Sequence, residues 1–203
     1  MAACGDQSKE GAWMADQLYL SYWLRNYSEQ NMLRQYERVL RLFPLSRLAR
    51  HPSTFRVTAV DYNEPPLLEI PFPPPLKIDD LLAAAKDFQN PDCCYRLETW
   101  WDLWQFDGDW KLTPTRVALC CYGPEFEKEN DANLTIEFGI DAHFLPQPEI
   151  PNSLSLVQSN IKSLLKLVHD LDDALPVETR NLWSESGENF SDKLHQALLA
   201  TAD

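Results

Sequence analysis

Residues 93–122 constrain this chain more than any other stretch. From Cys93 to about Phe106 the side chains alternate: Leu97, Thr99, Trp101 and Leu103 fall on one parity, and Arg96, Glu98, Trp100, Asp102, Trp104 and Phe106 on the other. Successive side chains of an extended strand point to opposite faces, so the first set reads as a core layer and the second as the far face of a sheet. Asp107-Gly108 follows, a hairpin signal of type I′ because both residues tolerate positive φ. The return strand is expected from Trp110 to about Tyr122, with Pro114 marking a bulge or an edge, since proline cannot donate to a ladder.

The flanking sequence supplies further elements. Residues 17–25 alternate Leu18, Leu20, Tyr22 and Leu24 against Tyr19, Ser21, Trp23 and Arg25, which predicts a strand. The period then switches, and Met32, Leu33, Tyr36, Val39, Leu40 and Phe43 form one helical stripe that ends at Pro44. Asn26 with Glu29, or Ser28 alone, can cap its start. Residues 53–62 read as a second strand. Six prolines between Pro65 and Pro75 predict an extended crossover loop, although Phe72-Pro73-Pro74-Pro75-Leu76 also has the look of a polyproline ligand.

Residues 78–88 predict a short helix with Asp79 and Asp80 at its positive end. Residues 132–144 alternate as a strand. A long helix then carries Leu154, Val157, Ile161, Leu164, Val168, Leu171 and Leu175 at spacings of three and four, either laid across the sheet or paired with another helix. A polar break and a final helix near 190–200 complete the chain. The fold class expected is α+β: a single mixed or antiparallel sheet of about five strands, helices mainly on one face, and a C-terminal helical tail. Residues 1–13 read as a flexible N-terminal extension and 14–203 as one domain, with 176–203 a helical appendage.

The formal net charge of −13 disfavours nucleic acid and anionic membrane as partners. That charge is uneven. Seven of the ten arginines lie between Arg25 and Arg56, giving this segment +5 and the remainder −18. Arg34, Arg38 and Arg41 on the predicted helix are either neutralised by the protein's own acidic parts or offered to an acidic partner. No run of apolar residues is long enough for a membrane span, and the start lacks the pattern of a secretory signal, which favours the cytoplasm. Five cysteines without a signal read as free, mostly buried thiols. There is no C-x-x-C, no Walker loop and no G-x-G-x-x-G, so no cofactor is expected.

The candidate site is the polar parity of the strands. Tyr19 and Trp23, with Arg96, Glu98, Trp100, Asp102 and Trp104, and with Glu137, Asp141 and His143, would form one aromatic and acidic surface if they share a side of the sheet. Tyrosine and tryptophan dominate binding hot spots, and a contiguous aromatic patch marks an interaction site. The function expected is therefore noncatalytic: assembly or protein binding, to a partner or to a second copy. A small-ligand or metal-assisted enzymatic role for Glu98, Asp102, Glu137, Asp141 and His143 around Trp100 and Trp104, with Asp141 and His143 projecting together from a strand, is the alternative. Coverage of the same face by the tail helices would make the rings a second core layer instead.

Overall fold

The computed structural model describes residues 16–187 and 189–200; the expected N-terminal extension lies outside them. Along the chain run β1 (Gln17–Leu24), α1 (Glu29–Leu42), β2 (Ser53–Ala59), β3 (Leu68–Phe72), α2 (Ile78–Lys86), β4 (Cys93–Asp107) and β5 (Asp109–Tyr122). Then come β6 (Leu134–Ile140), a single turn of 3-10 helix (Asp141–Phe144), α3 (Ser153–Ala174), β7 (Val177–Ser184) and α4 (Phe190–Ala200). The fold is α+β. One open antiparallel sheet has the order β3-β2-β4-β5-β6-β1-β7.

Seven strands replace the five expected. β3 arises inside the proline-rich stretch, where Pro71 is tolerated because β3 is an edge strand with no neighbour on its outer side. β7 lies where a helical appendage was expected, so among the described residues of that tail only Phe190–Ala200 is helical. Its sequence, VETRNLWS, buries only Ser184 fully, because it too is an edge and needs little apolar alternation.

The period-two reading of β4 holds. Leu97, Thr99, Trp101 and Leu103 are 0–3% exposed, and the opposite parity is half-buried from Arg96 to Trp104. The turn differs from type I′: Asp107 pairs directly with Asp109, and only Gly108 has positive φ, at +69°. The hairpin overhangs its neighbours. β2 pairs with β4 only through residues 93–98, and β6 pairs with β5 only through 118–121.

The freed edge of β4 is satisfied by other groups. Ser46 N donates to Trp100 O at 2.8 Å, and the Asp102 carboxylate accepts Ser46 Oγ and, at 2.9 Å, Arg47 N. Further out, buried Asn160 of α3 substitutes for a strand: its Oδ1 accepts Trp104 N and its Nδ2 donates to Trp104 O, each at 2.9 Å. Pro114 and Lys111 occupy β5 where it has no β6 partner, which blunts that edge.

One face of the sheet carries the main core. Leu18, Leu20, Tyr22, Phe55, Tyr95, Trp101, Leu119 and Ile136 meet Met32, Tyr36, Val39 and Leu40 of α1, Leu81 of α2 and the α3 seam. Val157, Ile161, Leu164, Val168, Leu171 and Leu175 of that seam are buried here; Leu154 is exposed. The spacing of three and four thus serves the protein's own sheet. Ser28 caps α1, its N–H donating to Asn31 Oδ1 at 3.2 Å, so the N3 partner is Asn31 rather than Glu29.

α4 joins the same layer. Phe190 meets the Phe144 ring edge-on, and Lys193 Nζ lies 2.5 Å from Asp141 Oδ2. The described tail therefore packs on the helical side and leaves the other face of the sheet open.

Candidate functional site

The register builds two rows of side chains across the open face. One row runs Arg56, Arg96, Cys120, Thr135 and Ser21; the next runs Thr54, Glu98, Ala118, Glu137, Tyr19 and Trp183. The middle of each row is small (Cys120, Thr135, Ser21 and Ala118), whereas large rings stand around it. Small side chains flanked by large ones make a trough. A groove of about 810 Å³ occupies it, lined by Tyr19, Arg96, Tyr122, Thr135, Glu137 and Trp183 on the sheet, by Asp61–Asn63 on one rim and by Glu127–Asn130 on the other.

Charge on this face is organised around Glu98. Arg56 and Arg96 sit directly opposite one another, an arrangement that like charges disfavour. Glu98 stands between them, with its Oε1 3.0 Å from Arg56 and 3.4 Å from Arg96, and it also takes Arg116. Arg96 then grips Glu137 with both nitrogens, at 2.6 and 2.7 Å, and Arg56 holds Glu69 at 2.6 Å. Burial raises the Glu98 carboxyl, but Arg116, Arg56 and Arg96 outweigh it and hold it below the ordinary carboxylate value. Burial opposes the Arg96 charge, yet Glu137 holds that guanidinium well above the usual range.

The rings are ordered too. Tyr19 and Trp183 stack at 4.6 Å with 21° between planes, and Trp183 Nε1 donates to Ser21 Oγ at 3.1 Å. Tyr62 donates to Tyr122 Oη at 2.9 Å while Phe126 meets Tyr62 edge-on. Cys94, Cys120, Tyr122 and Phe126 form a second small cluster beneath. Burial pushes the Cys120 thiol up to about 12 and the Cys94 thiol well up, so both stay protonated near neutral pH. As expected, Cys93, Cys94, Cys120 and Cys121 are free and buried.

The Tyr62 rim begins at a strained residue. Val60 has φ +72°, where a β-branched side chain is disfavoured, and is pinned by Val60 N to Asp92 O at 2.9 Å and Glu127 N to Val60 O at 2.8 Å. Its side chain is 46% exposed and contributes little packing. Val60→Gly is expected to stabilise the fold by about 1 kcal/mol, the relief of αL strain less the entropy of glycine. Urea unfolding checks this, and a loss of stability would show that the Val60 side chain holds the rim by contact.

The sequence-derived residues are divided by the structure. Tyr19, Arg96 and Glu137 share the main groove; Glu98 and Trp100 line a second hollow of about 340 Å³ with His51, Thr54 and Arg116. Trp23 and Trp104 are half-buried, on the parity of Tyr19 and of Arg96 respectively, but outside both hollows. Asp102 is occupied with Ser46 and Arg47.

The shared projection of Asp141 and His143 is overturned. β6 ends at Ile140, and both residues lie on the 3-10 turn. Asp141 is buried against Lys193 and accepts Asp16 N at 3.1 Å; burial lowers the His143 imidazole. No group of three or more potential metal-ligating side chains occurs among the described residues. Of the basic residues, Arg38 donates to Gln35 Oε1 and to Ala174 O at the end of α3, each at 3.0 Å, and Arg41 pairs with Glu37 and Asp79. Arg34 is exposed. Within the Arg-rich segment, Arg41 and Arg56 pair with the protein's own carboxylates, while Arg25 and Arg38 bond neutral oxygens.

No protein-family model, curated protein or solved structure matches this chain. The site therefore stands on its own geometry. Several of its members carry no signal in the sequence. Trp183 lies in a polar stretch that lacks strand alternation, Tyr62 falls beyond the end of β2 at Ala59 although residues 53–62 read as one strand, and Arg56 and Arg116 are single cations whose meeting at Glu98 depends on register. Among the described residues no helix is long and apolar enough to cross a membrane.

Proposed function

We propose that this chain is a noncatalytic recognition module that holds a segment of a partner protein on the open face of its sheet. The observation that carries this reading is the trough itself, a face left uncovered by the four described helices and lined by stacked and paired rings. The second hollow supports it. From Arg96 to Trp100 the two hollows succeed one another along β4 over about 13 Å, at ~3.3 Å per residue, which is the reach of about four residues of extended chain. Small-molecule sites usually enclose most of their ligand, whereas this track is open along its length. The titratable groups on the strands fit binding better than turnover, since Arg56, Arg96 and Arg116 are neutralised by Glu98 and Glu137 and the thiols are protonated.

A small-ligand role is the second reading, favoured by the groove volume of about 810 Å³ alone. Panning a random peptide library on the full chain tests the first. Enriched peptides are expected to lose binding to Trp183→Ala and Trp100→Ala and to keep it with Arg34→Ala on the helical side. Enriched peptides indifferent to both tryptophans, or none at all, would overturn the proposal.

A further inference from the structure

We infer that the segment bound on this face presents an arginine or lysine side chain, whose cationic group seats in the main groove beside the Tyr19–Trp183 stack. This rests on the reading of the open face as a peptide-binding surface, and adds what that surface selects. Three features of the groove converge on a cation.

The first is unbalanced charge. The groove is lined by four carboxylates, Asp61, Glu127, Glu129 and Glu137, against two cations, Arg96 and Lys128. Arg96 is already committed, because both of its terminal nitrogens hold Glu137. Lys128 is turned onto the Tyr122 ring, 4.8 Å from its centroid. Among the described residues none of Asp61, Glu127 and Glu129 has an ion-pair partner.

The second is the aromatic platform. Tyr19 and Trp183 stack nearly parallel and remain half-exposed at the groove. A ring face attracts a cation through its quadrupole, and a planar guanidinium also stacks on it. The Lys128–Tyr122 contact is the same interaction made by the protein with its own side chain.

The third is the sign of the local field. The Tyr19 hydroxyl is raised by burial and then by Glu137, Glu185 and Asp16, with only Arg96 opposing. The field at that end of the groove is therefore negative, and it would repel an acidic segment.

The test uses the full chain and three defined hexapeptides: acetyl-GRGRGR-amide, acetyl-GQGQGQ-amide and acetyl-GEGEGE-amide. Binding is followed by tryptophan fluorescence and by calorimetry. The arginine peptide is expected to bind about tenfold or more tightly than the glutamine peptide, with the glutamate peptide weakest, and its affinity is expected to fall with added salt. Glu127→Gln/Glu129→Gln lies on an exposed loop, should leave folding intact, and is expected to weaken the arginine peptide about fivefold or more while sparing the glutamine peptide. Trp183→Ala should remove most of the fluorescence response. Equal binding of the arginine and glutamine peptides, no binding of any, or indifference to the glutamate substitutions would overturn the inference. The library separates the two readings: peptides that need Trp183 but lack basic residues would leave the binding face standing and remove only its preference for a cation.

Discussion

Trp101→Ala is expected to cost about 3–5 kcal/mol of unfolding free energy, whereas the adjacent Trp100→Ala should cost about 1 kcal/mol. The two residues differ only in the parity of β4. Trp101 is 3% exposed and stands among Phe43, Phe138 and Phe144, with ring centroids 5.6–5.9 Å away. Removing its indole leaves a cavity where α1, β6 and the 3-10 turn meet, and these elements cannot all close on it. Trp100 is half-buried on the open face, with Nε1 3.3 Å from Pro52 O and a tilted contact to His51. Urea unfolding of both variants gives the comparison. Equal losses would mean that the two faces are equally buried, and the open groove would then be no surface at all.

The second large effect lies under α4. Lys193→Ala is expected to remove about 3 kcal/mol or more, because it leaves the Asp141 carboxylate buried without its cation. Asp141 is 1% exposed and the Lys193 side chain 5%, with Nζ 2.5 Å from Asp141 and 3.5 Å from Asp16. Hydrogen exchange is expected to report the loss first at residues 190–200, since this pair joins α4 to the 3-10 turn and to the chain entering β1. Replacing the pair as Asp141→Asn/Lys193→Met should recover most of it: asparagine still accepts Asp16 N, and no lone charge stays buried. A double variant as unstable as Lys193→Ala would show that geometry, not the stranded charge, sets the cost.

The same pair carries a pH dependence. Burial opposes the Lys193 charge, but Asp141 and then Asp16 outweigh it and raise the group above its ordinary 10.5. A cation favoured in the folded state stabilises fully below the unfolded value and ceases to do so as pH rises through the folded one. Protection of α4 is therefore expected to hold up to about pH 10.5 and to decline above it. The Lys193→Met/Asp141→Asn variant should lack that decline.

Much of the architecture is carried by local periodicity. Leu18 to Leu24, Leu97 to Leu103 and the seam from Val157 to Leu175 each declare which side is buried, because a strand repeats every two residues and a helix every 3.6. That is why the five interior strands and four helices could be located before any coordinates. β3 and β7 could not. Leu68, Ile70 and Phe72 of β3 do alternate, but the prolines around them read as a loop, and the polar run Glu178–Asn181 of the edge strand β7 leaves no apolar trace.

The candidate site was half visible for the same reason. Parity alone puts Arg96, Glu98 and Trp100 on one face, and Tyr19 with Trp23 on a face of their own strand. It does not say that Tyr19 lies opposite Glu137, or that Asp141 leaves the strand to meet a lysine 52 residues later.

By itself, then, the sequence determined the fold class, the buried parity of β1 and β4 and the free state of its buried thiols. Only the tertiary structure decided the strand order, the trough of small residues ringed by Tyr19, Tyr62, Tyr122 and Trp183, and the side on which α4 packs. Burial leaves its record along the chain as a repeating pattern of polarity. Register and layer assignment are set instead by contacts between residues distant in sequence, and no local pattern encodes them.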